Sequence, residues 1–186
     1  QSAQQIVLST TTPGATIYYT TDGSSPLTNT GNPSANATAY TSPIRINKTT
    51  VIRSAATANK FATSPWEAHT YLLLDIDNAK ANGTDSNGLN NPILQQTRPA
   101  GYGTFPSGDY NMDTRITRST AQSPGHNGLT IAQAMLQGFK ETPSISISMP
   151  AADFVNLYAN STSQGLERAC SAEFLPAEND SRPAFQ

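Results

Sequence analysis

Four carboxylates in the C-terminal half of this sequence are the side chains that could do acid–base chemistry. They are Glu141, Asp153, Glu167 and Glu173. A pair of such groups flanking a sugar linkage is the equipment of glycoside hydrolysis, but its separation in space cannot be read from sequence spacing. Glu167 and Glu173 alternate with small or apolar residues, as solvent-facing positions of strands do. We therefore expect these carboxylates to be surface residues rather than a catalytic pair.

Histidine and cysteine are scarce. His69 and His126 are the two histidines, and Cys170 is the one cysteine. These residues fall in no metal-ligand spacing, so the sequence gives no indication of a zinc site. We expect His69 to be a surface or cross-strand residue of a strand. A single cysteine cannot form an internal disulfide, and we expect Cys170 to be a buried thiol, the alternative being an intermolecular bond.

Two binding functions need no reactive group. Exposed aromatic rings stack on sugars, and four residues are candidates for such a platform: Tyr18, Tyr40, Trp66 and Tyr71. The alternative, which we favour, is that most of these rings pack in or around a core. Asp75, Asp77 and Asp85 offer oxygen ligands for calcium, but they do not follow the register of an EF-hand loop. We expect no cofactor and no bound calcium.

Composition narrows the class of protein. The formal net charge is -2 and only 13% of the residues are charged, against about 25% in typical domains. Nothing here favours nucleic acid or an anionic membrane as a partner. The run Tyr71–Leu74 is too short to cross a bilayer, and Gln1 does not begin a signal peptide. Abundant Thr, Ser and Asn are common in secreted proteins, so we expect an extracellular or cell-surface location after removal of a signal peptide.

The pattern of short apolar runs and turn residues predicts a mainly β chain. Residues 1–74 read as an immunoglobulin-like or fibronectin-III-like β-sandwich, with strands at 6–9, 15–21, 43–46, 50–56 and 69–73. Within it, Asp22-Gly23 predicts a tight turn. Residues 75–128 read as a linker and irregular segment. Residues 129–186 read as a loop-rich α+β segment in which one short helix, 129–138, stops at Gly138 and strands at 144–149 and 171–175 pair.

The N-terminal motifs carry a family resemblance. The motifs that carry the resemblance are Thr10–Pro26, Tyr40–Ile44 and Thr50–Ala56. Over residues 5–73 the sequence resembles the chitobiase C-terminal or fibronectin-III-associated β-sandwich module. That family accompanies bacterial extracellular enzymes and surface proteins. The resemblance implies a module without catalytic residues, in which Asp22 and Gly23 form the turn and Tyr19 packs in the core.

A second, more diffuse resemblance lies further along. The motifs that carry the similarity, in order, are Tyr102 with Asp109–Asp113, Thr142–Ile147, Asn156–Asn160 and Gly165–Phe174. The sequence is similar there to the segment that leads into CotH-type (spore-coat kinase-like) domains of bacterial surface proteins. Ala169, Cys170 and Ala172 depart from that pattern, and the sequence ends at Gln186 before a catalytic part would begin. The resemblance therefore implies no kinase activity for these residues.

These observations predict a protein that is not an enzyme. The expected function is that of an extracellular structural or adhesive module of a bacterial cell-surface protein, able to self-assemble into a filament or surface layer. A carbohydrate-binding accessory module and the N-terminal fragment of a CotH-like kinase are the alternatives. The expected partners are other copies of the chain or other surface proteins, and polysaccharide in the second case.

Overall fold

A computed structural model of the protein describes residues 4–47, 49–73, 119–126 and 128–181. Residues 75–118, most of the predicted linker and irregular segment, lie outside the described residues, as do the candidate calcium ligands. The described part is mainly β, as expected, but it contains two helices rather than one. The elements in chain order are β1 (Gln4–Ile6), β2 (Thr16–Thr20), β3 (Thr38–Ala39), β4 (Ile44–Ile46), β5 (Thr50–Thr57), β6 (Glu67–Tyr71), α1 (Ile131–Glu141), β7 (Ser144–Ser148), α2 (Ala151–Ala159) and β8 (Ser171–Leu175).

The N-terminal strands form two facing sheets. One sheet pairs β1 with β4, and the other has the order β3-β2-β5-β6, with all pairs antiparallel. Between them lies a core of Ile44, Ile46, Ile52 and Leu73, against which Tyr19 packs. Because β6 pairs with β5, it belongs to the same structure. We use the name sandwich below for residues 4–73. The first strand lies earlier than the predicted 6–9, and Val7 is 69% exposed.

The turn after β2 forms by local chemistry, as predicted. Gly23 has a φ of +78°, a value that L side chains rarely adopt. The carboxylate of Asp22 accepts hydrogen bonds from the Ser24 backbone N–H at 3.0 Å and from the Ser24 hydroxyl at 2.5 Å. A third bond comes from the side-chain amide of Asn36 at 2.9 Å, which ties the long β2–β3 connection back to the turn.

The C-terminal segment, residues 119–181, contributes α1, α2 and the antiparallel pair β7–β8. Thr130 begins α1 with a capping box, in which its hydroxyl accepts from the Gln133 backbone and its own N–H donates to the Gln133 side chain. The predicted stop at Gly138 is wrong. The helix continues to Glu141 because Pro143, rather than Gly138, disfavours helical conformation in the residue before it. After β7 the chain enters a second helix, α2, which begins at Ala151.

The described helices include none that is both long and apolar enough to cross a bilayer.

Candidate functional site: the junction between the sandwich and the C-terminal segment

The four-stranded sheet is buried on both of its faces. Ile52 points into the sandwich core, so its neighbour Arg53 points to the opposite side, which we call the outer face. Thr20 and Ala68 lie directly opposite Arg53 on the two adjacent strands, and Ala55 lies two residues further along β5. All four are at most 5% exposed. An outer face that excludes water to this degree must be covered by other parts of the chain.

Arg53 is the most unusual residue of the outer face, because it is charged and only 3% exposed. Its Nη1 donates a 2.6 Å hydrogen bond to the carbonyl oxygen of Gly23. Its guanidinium lies 3.8 Å from the ring centroid of Trp66, a cation–π arrangement. Burial lowers the pKa of Arg53 from its ordinary value, and the negative charge of an ionised Cys170 thiol would oppose that shift. The side chain thus holds the turn and Trp66 onto one surface.

The C-terminal segment closes over this face at the Gly23 turn. A Cβ atom added to Gly23 would lie 2.8 Å from the backbone oxygen of Met149, which is closer than real Cβ atoms approach. Met149 follows β7 directly. Glycine at this position therefore serves two needs, a left-handed turn and a close approach of the C-terminal segment.

The edge strand β6 is capped by a carboxylate from the C-terminal segment. Glu173 of β8 accepts a 2.6 Å hydrogen bond from the backbone N–H of Thr70, and the Thr70 hydroxyl is 2.6 Å from the hydroxyl of Ser146 in β7. The Glu173 side chain is 10% exposed and lies 3.9 Å from the Nδ1 atom of His69. An exposed strand edge is a site of unwanted pairing, and Glu173 blocks this one. We call the Gly23–Met149, Thr70–Glu173 and Thr70–Ser146 contacts together the junction.

Two expectations for the C-terminal half were wrong. Glu173 does not face solvent, since the inner side of β8 lies against β6. Cys170 is not buried; it precedes β8 in an exposed stretch, where the packing of a small hydrophobe has nothing to act on. Contacts between residues far apart in one chain leave no periodic pattern in its sequence. The burial of Glu173 and Arg53 depends on such contacts and could not be predicted.

The other candidate acid and base groups take part in ordinary surface contacts. Asp153 forms an ion pair with Arg168 at 3.3 Å, and Glu141 accepts a 2.5 Å hydrogen bond from Gln137 one helical turn earlier. His69 lies opposite Ile52 in the sheet, in the expected cross-strand position. Among the residues that the structure describes, no three histidine, cysteine or acidic side chains gather into a cluster that could hold a metal ion.

The four candidate stacking residues do not share a surface. Tyr40 and Tyr71 pack against the sandwich core. Tyr18 lies opposite Ala55 and therefore on the outer face, as does Trp66, whose ring contacts Arg53. Burial, with the negative charge of Glu173 added to it, raises the pKa of Tyr71 above its ordinary value. Trp66 is 39% exposed, and Phe61, in the same β5–β6 connection, is 65% exposed. Sugar binding by any of them stays a prediction.

Comparison with known proteins bears on the sandwich alone. Residues 1–66 match the model of the chitobiase/beta-hexosaminidase C-terminal domain. The chain matches no curated protein and no solved structure. The similarity to CotH-type lead-in segments receives no support from these comparisons. Residues 1–66 are thus similar to a carbohydrate-associated β-sandwich domain, which is compatible with a non-catalytic accessory module.

Proposed function

We propose that this chain is a non-catalytic extracellular module that holds a neighbouring segment of a bacterial cell-surface protein in a fixed position. The observation that carries the proposal is the junction. Glu173 of the C-terminal segment, a charged residue that is 8% exposed, accepts a hydrogen bond there from a backbone N–H of the sandwich. Side chains used in this way stabilise an arrangement of two segments rather than a reaction.

The accessory character of the matched family supports the same conclusion. The outer face and the β6 edge of the sandwich contact the C-terminal segment, so the sandwich acts as a support that fixes the position of that segment. The structural or adhesive role then belongs to the segment that the sandwich supports.

The proposal is tested by measuring how rigidly the two segments are held. Spin labels placed at Phe61 in the sandwich and at Tyr158 in α2, both more than half exposed, report the distance between the segments. We expect a single narrow distance distribution for the chain and a broad one for Glu173→Leu, with Glu173→Gln as the matched control that retains an acceptor for Thr70. A broad distribution in the unmodified chain, or turnover of chitin oligosaccharides by it, would contradict the proposal.

A second candidate function is favoured by Trp66 in particular. Arg53 lies over one face of the indole and fixes the ring, and the residue as a whole is 39% exposed, so part of its surface is open to a stacking sugar. Trp66 is the only tryptophan of the chain, so its fluorescence reports binding directly. Titration of the unmodified chain with chitin oligosaccharides or soluble polysaccharides should shift the emission. Isothermal titration calorimetry, which does not depend on the indole, should show weaker binding by Trp66→Phe and a larger loss in Trp66→Ala. Tyr158→Ala, which removes an exposed ring of the C-terminal segment, is the control. A flat titration with every glycan would exclude this function.

A further inference from the structure

The strand β7 has a sequence that reads the same in both directions, Ser144-Ile145-Ser146-Ile147-Ser148. In the part of the chain that the structure describes, β7 pairs with β8 on one side, and its other edge has no strand partner. The backbone groups of such an edge are ready to pair with another strand. A palindromic strand is complementary to itself in the antiparallel orientation.

The two faces of β7 are chemically opposite. The serines turn inward, where Ser146 contacts Thr70 of the sandwich and Ser148 is 8% exposed. Ile145 and Ile147 turn outward and are 71% and 65% exposed. Their cross-strand neighbours in β8 are Phe174 and Ala172, which lie on the same side. We call these four residues the isoleucine face.

Charge does not oppose the pairing of two such edges. β7 contains no charged residue, and the one charged residue of β8, Glu173, is directed inward to the Thr70 N–H. Natural edge strands are commonly guarded by lysine or by a proline within the strand, and β7 has neither. Pro143 and Pro150 flank the strand on its two sides, so pairing would be confined to these five residues.

We propose that β7 is a self-association edge, and that a second copy of this chain pairs with it in the antiparallel orientation across a two-fold axis at Ser146. This inference goes beyond the proposed function and does not depend on it. In this register Ile145 lies opposite Ile147 of the second copy, and Ser144 lies opposite Ser148 of the second copy. The two isoleucine faces join into one apolar stripe on a four-stranded sheet.

The two-fold arrangement satisfies the geometry of closed dimers, in which the same patch of both copies forms the contact. The sandwich contacts the β7–β8 pair on its inner side, through Glu173 and Ser146, whereas the proposed pairing uses the free backbone edge of β7. Pairing of five-residue strands falls at the low end of interface sizes, below about 1,200 Å². The dimer should therefore form reversibly and depend on protein concentration.

The first experiment measures the oligomeric state. Sedimentation velocity of the 186-residue chain, from low micromolar to millimolar concentration, should show a monomer that converts to a dimer. Ile147→Lys adds a charge to the isoleucine face at a position that is already mostly exposed, so the fold is expected to persist while the dimer is lost. Tyr158→Lys, at an exposed apolar residue outside β7, is the matched control and should leave the dimer unchanged. Circular dichroism and thermal unfolding of each variant verify the fold.

The second experiment tests the register. In a Cys170→Ser background, chains with Ile145→Cys and chains with Ile147→Cys are oxidised separately and after mixing. Opposite residues of antiparallel strands have Cα atoms about 4.5–5.5 Å apart, within the reach of a disulfide. We expect a cross-linked dimer in the mixture at least several-fold more abundant than in either chain alone. A monomer at every concentration, a dimer insensitive to Ile147→Lys, or equal cross-linking in the separate chains would overturn the proposal.

Discussion

The sandwich and the C-terminal segment place their apolar residues in opposite ways. In the sandwich, Ile44, Ile46 and Ile52 are at most 8% exposed and form a core between two sheets. In β7, the alternation of serine and isoleucine is just as regular, yet Ile145 and Ile147 are the exposed residues and the serines face the sandwich. Alternation therefore identifies a strand but does not say which side is covered. What decides the side is the polar junction, which requires hydroxyls and a carboxylate against the edge of β6.

The largest expected loss of stability comes from shortening one side chain in the sandwich core. Ile52→Ala removes a side chain that is 1% exposed and should lower the free energy of unfolding by about 2–5 kcal/mol, because it loses buried apolar surface and leaves a cavity. Ile145→Ala, at an exposed isoleucine, should change it by less than about 0.5 kcal/mol in a monomer. Urea unfolding at low protein concentration measures both. Equal costs at the two positions would show that the two regions do not differ in this way.

Alanine substitutions at Gly23 and Gly14 distinguish the cost of backbone strain from the cost of disturbing the contact between the two regions. Gly23→Ala should cost about 2–4 kcal/mol, because its positive φ disfavours a Cβ atom and because that atom meets the Met149 oxygen. Gly14 has a similar φ of +72° but open space around it, so Gly14→Ala should cost only the strain, about 1–2 kcal/mol. Thermal unfolding of the two variants gives the difference. If Gly14→Ala were the more harmful change, the close approach at Met149 would be refuted.

The carboxylate at the edge of β6 offers a smaller and more local change. Glu173→Leu removes the acceptor of the Thr70 N–H and should cost about 1–3 kcal/mol, the penalty for a part-buried donor without a partner. Glu173→Gln keeps an acceptor and should cost less. Chemical denaturation measures both. A leucine variant as stable as the unmodified chain would mean that the hydrogen bond is not needed to hold the regions together.

The smallest effect belongs to the Asp22 turn, which lies within the sandwich. Burial alone would raise the pKa of Asp22, but the hydrogen bonds from Ser24 and Asn36 outweigh it and hold the pKa below its ordinary value of 3.8. A carboxyl with a lowered pKa in the folded state contributes stability that is present above its ordinary pKa and is lost as the pH falls through the folded-state value. Unfolding measured between pH 5 and about pH 2 should show this loss, and Asp22→Asn should flatten that part of the profile. If the pH dependence of stability were the same in Asp22→Asn and in the unmodified chain, the loss of stability at low pH would not be due to Asp22.

Local features of this fold could be predicted from sequence, and contacts over long sequence separations could not. The Asp22-Gly23 turn depends on residues within two positions of one another, and the strand at 16–20 follows from a simple alternation. Glu173 acts on Thr70, 103 residues away, so its burial left no pattern near it in the sequence. The same is true of Arg53. Its position in a strand predicts an exposed charge, and only the folded chain places Trp66 and the Gly23 carbonyl against it. The prediction that α1 ends at Gly138 was wrong for a different reason, because a single glycine is tolerated inside a capped helix.

The central claim is that the C-terminal segment is docked on the sandwich through the edge of β6. Hydrogen exchange at the Thr70 amide tests this most directly, because that N–H is on the strand edge and its partner is Glu173. The account predicts slow exchange of the Thr70 amide in the unmodified chain and exchange faster by at least tenfold in Glu173→Leu, with the core amides of β5 unchanged. Rapid exchange at Thr70 in the unmodified chain, at the rate of an open strand edge, would contradict it.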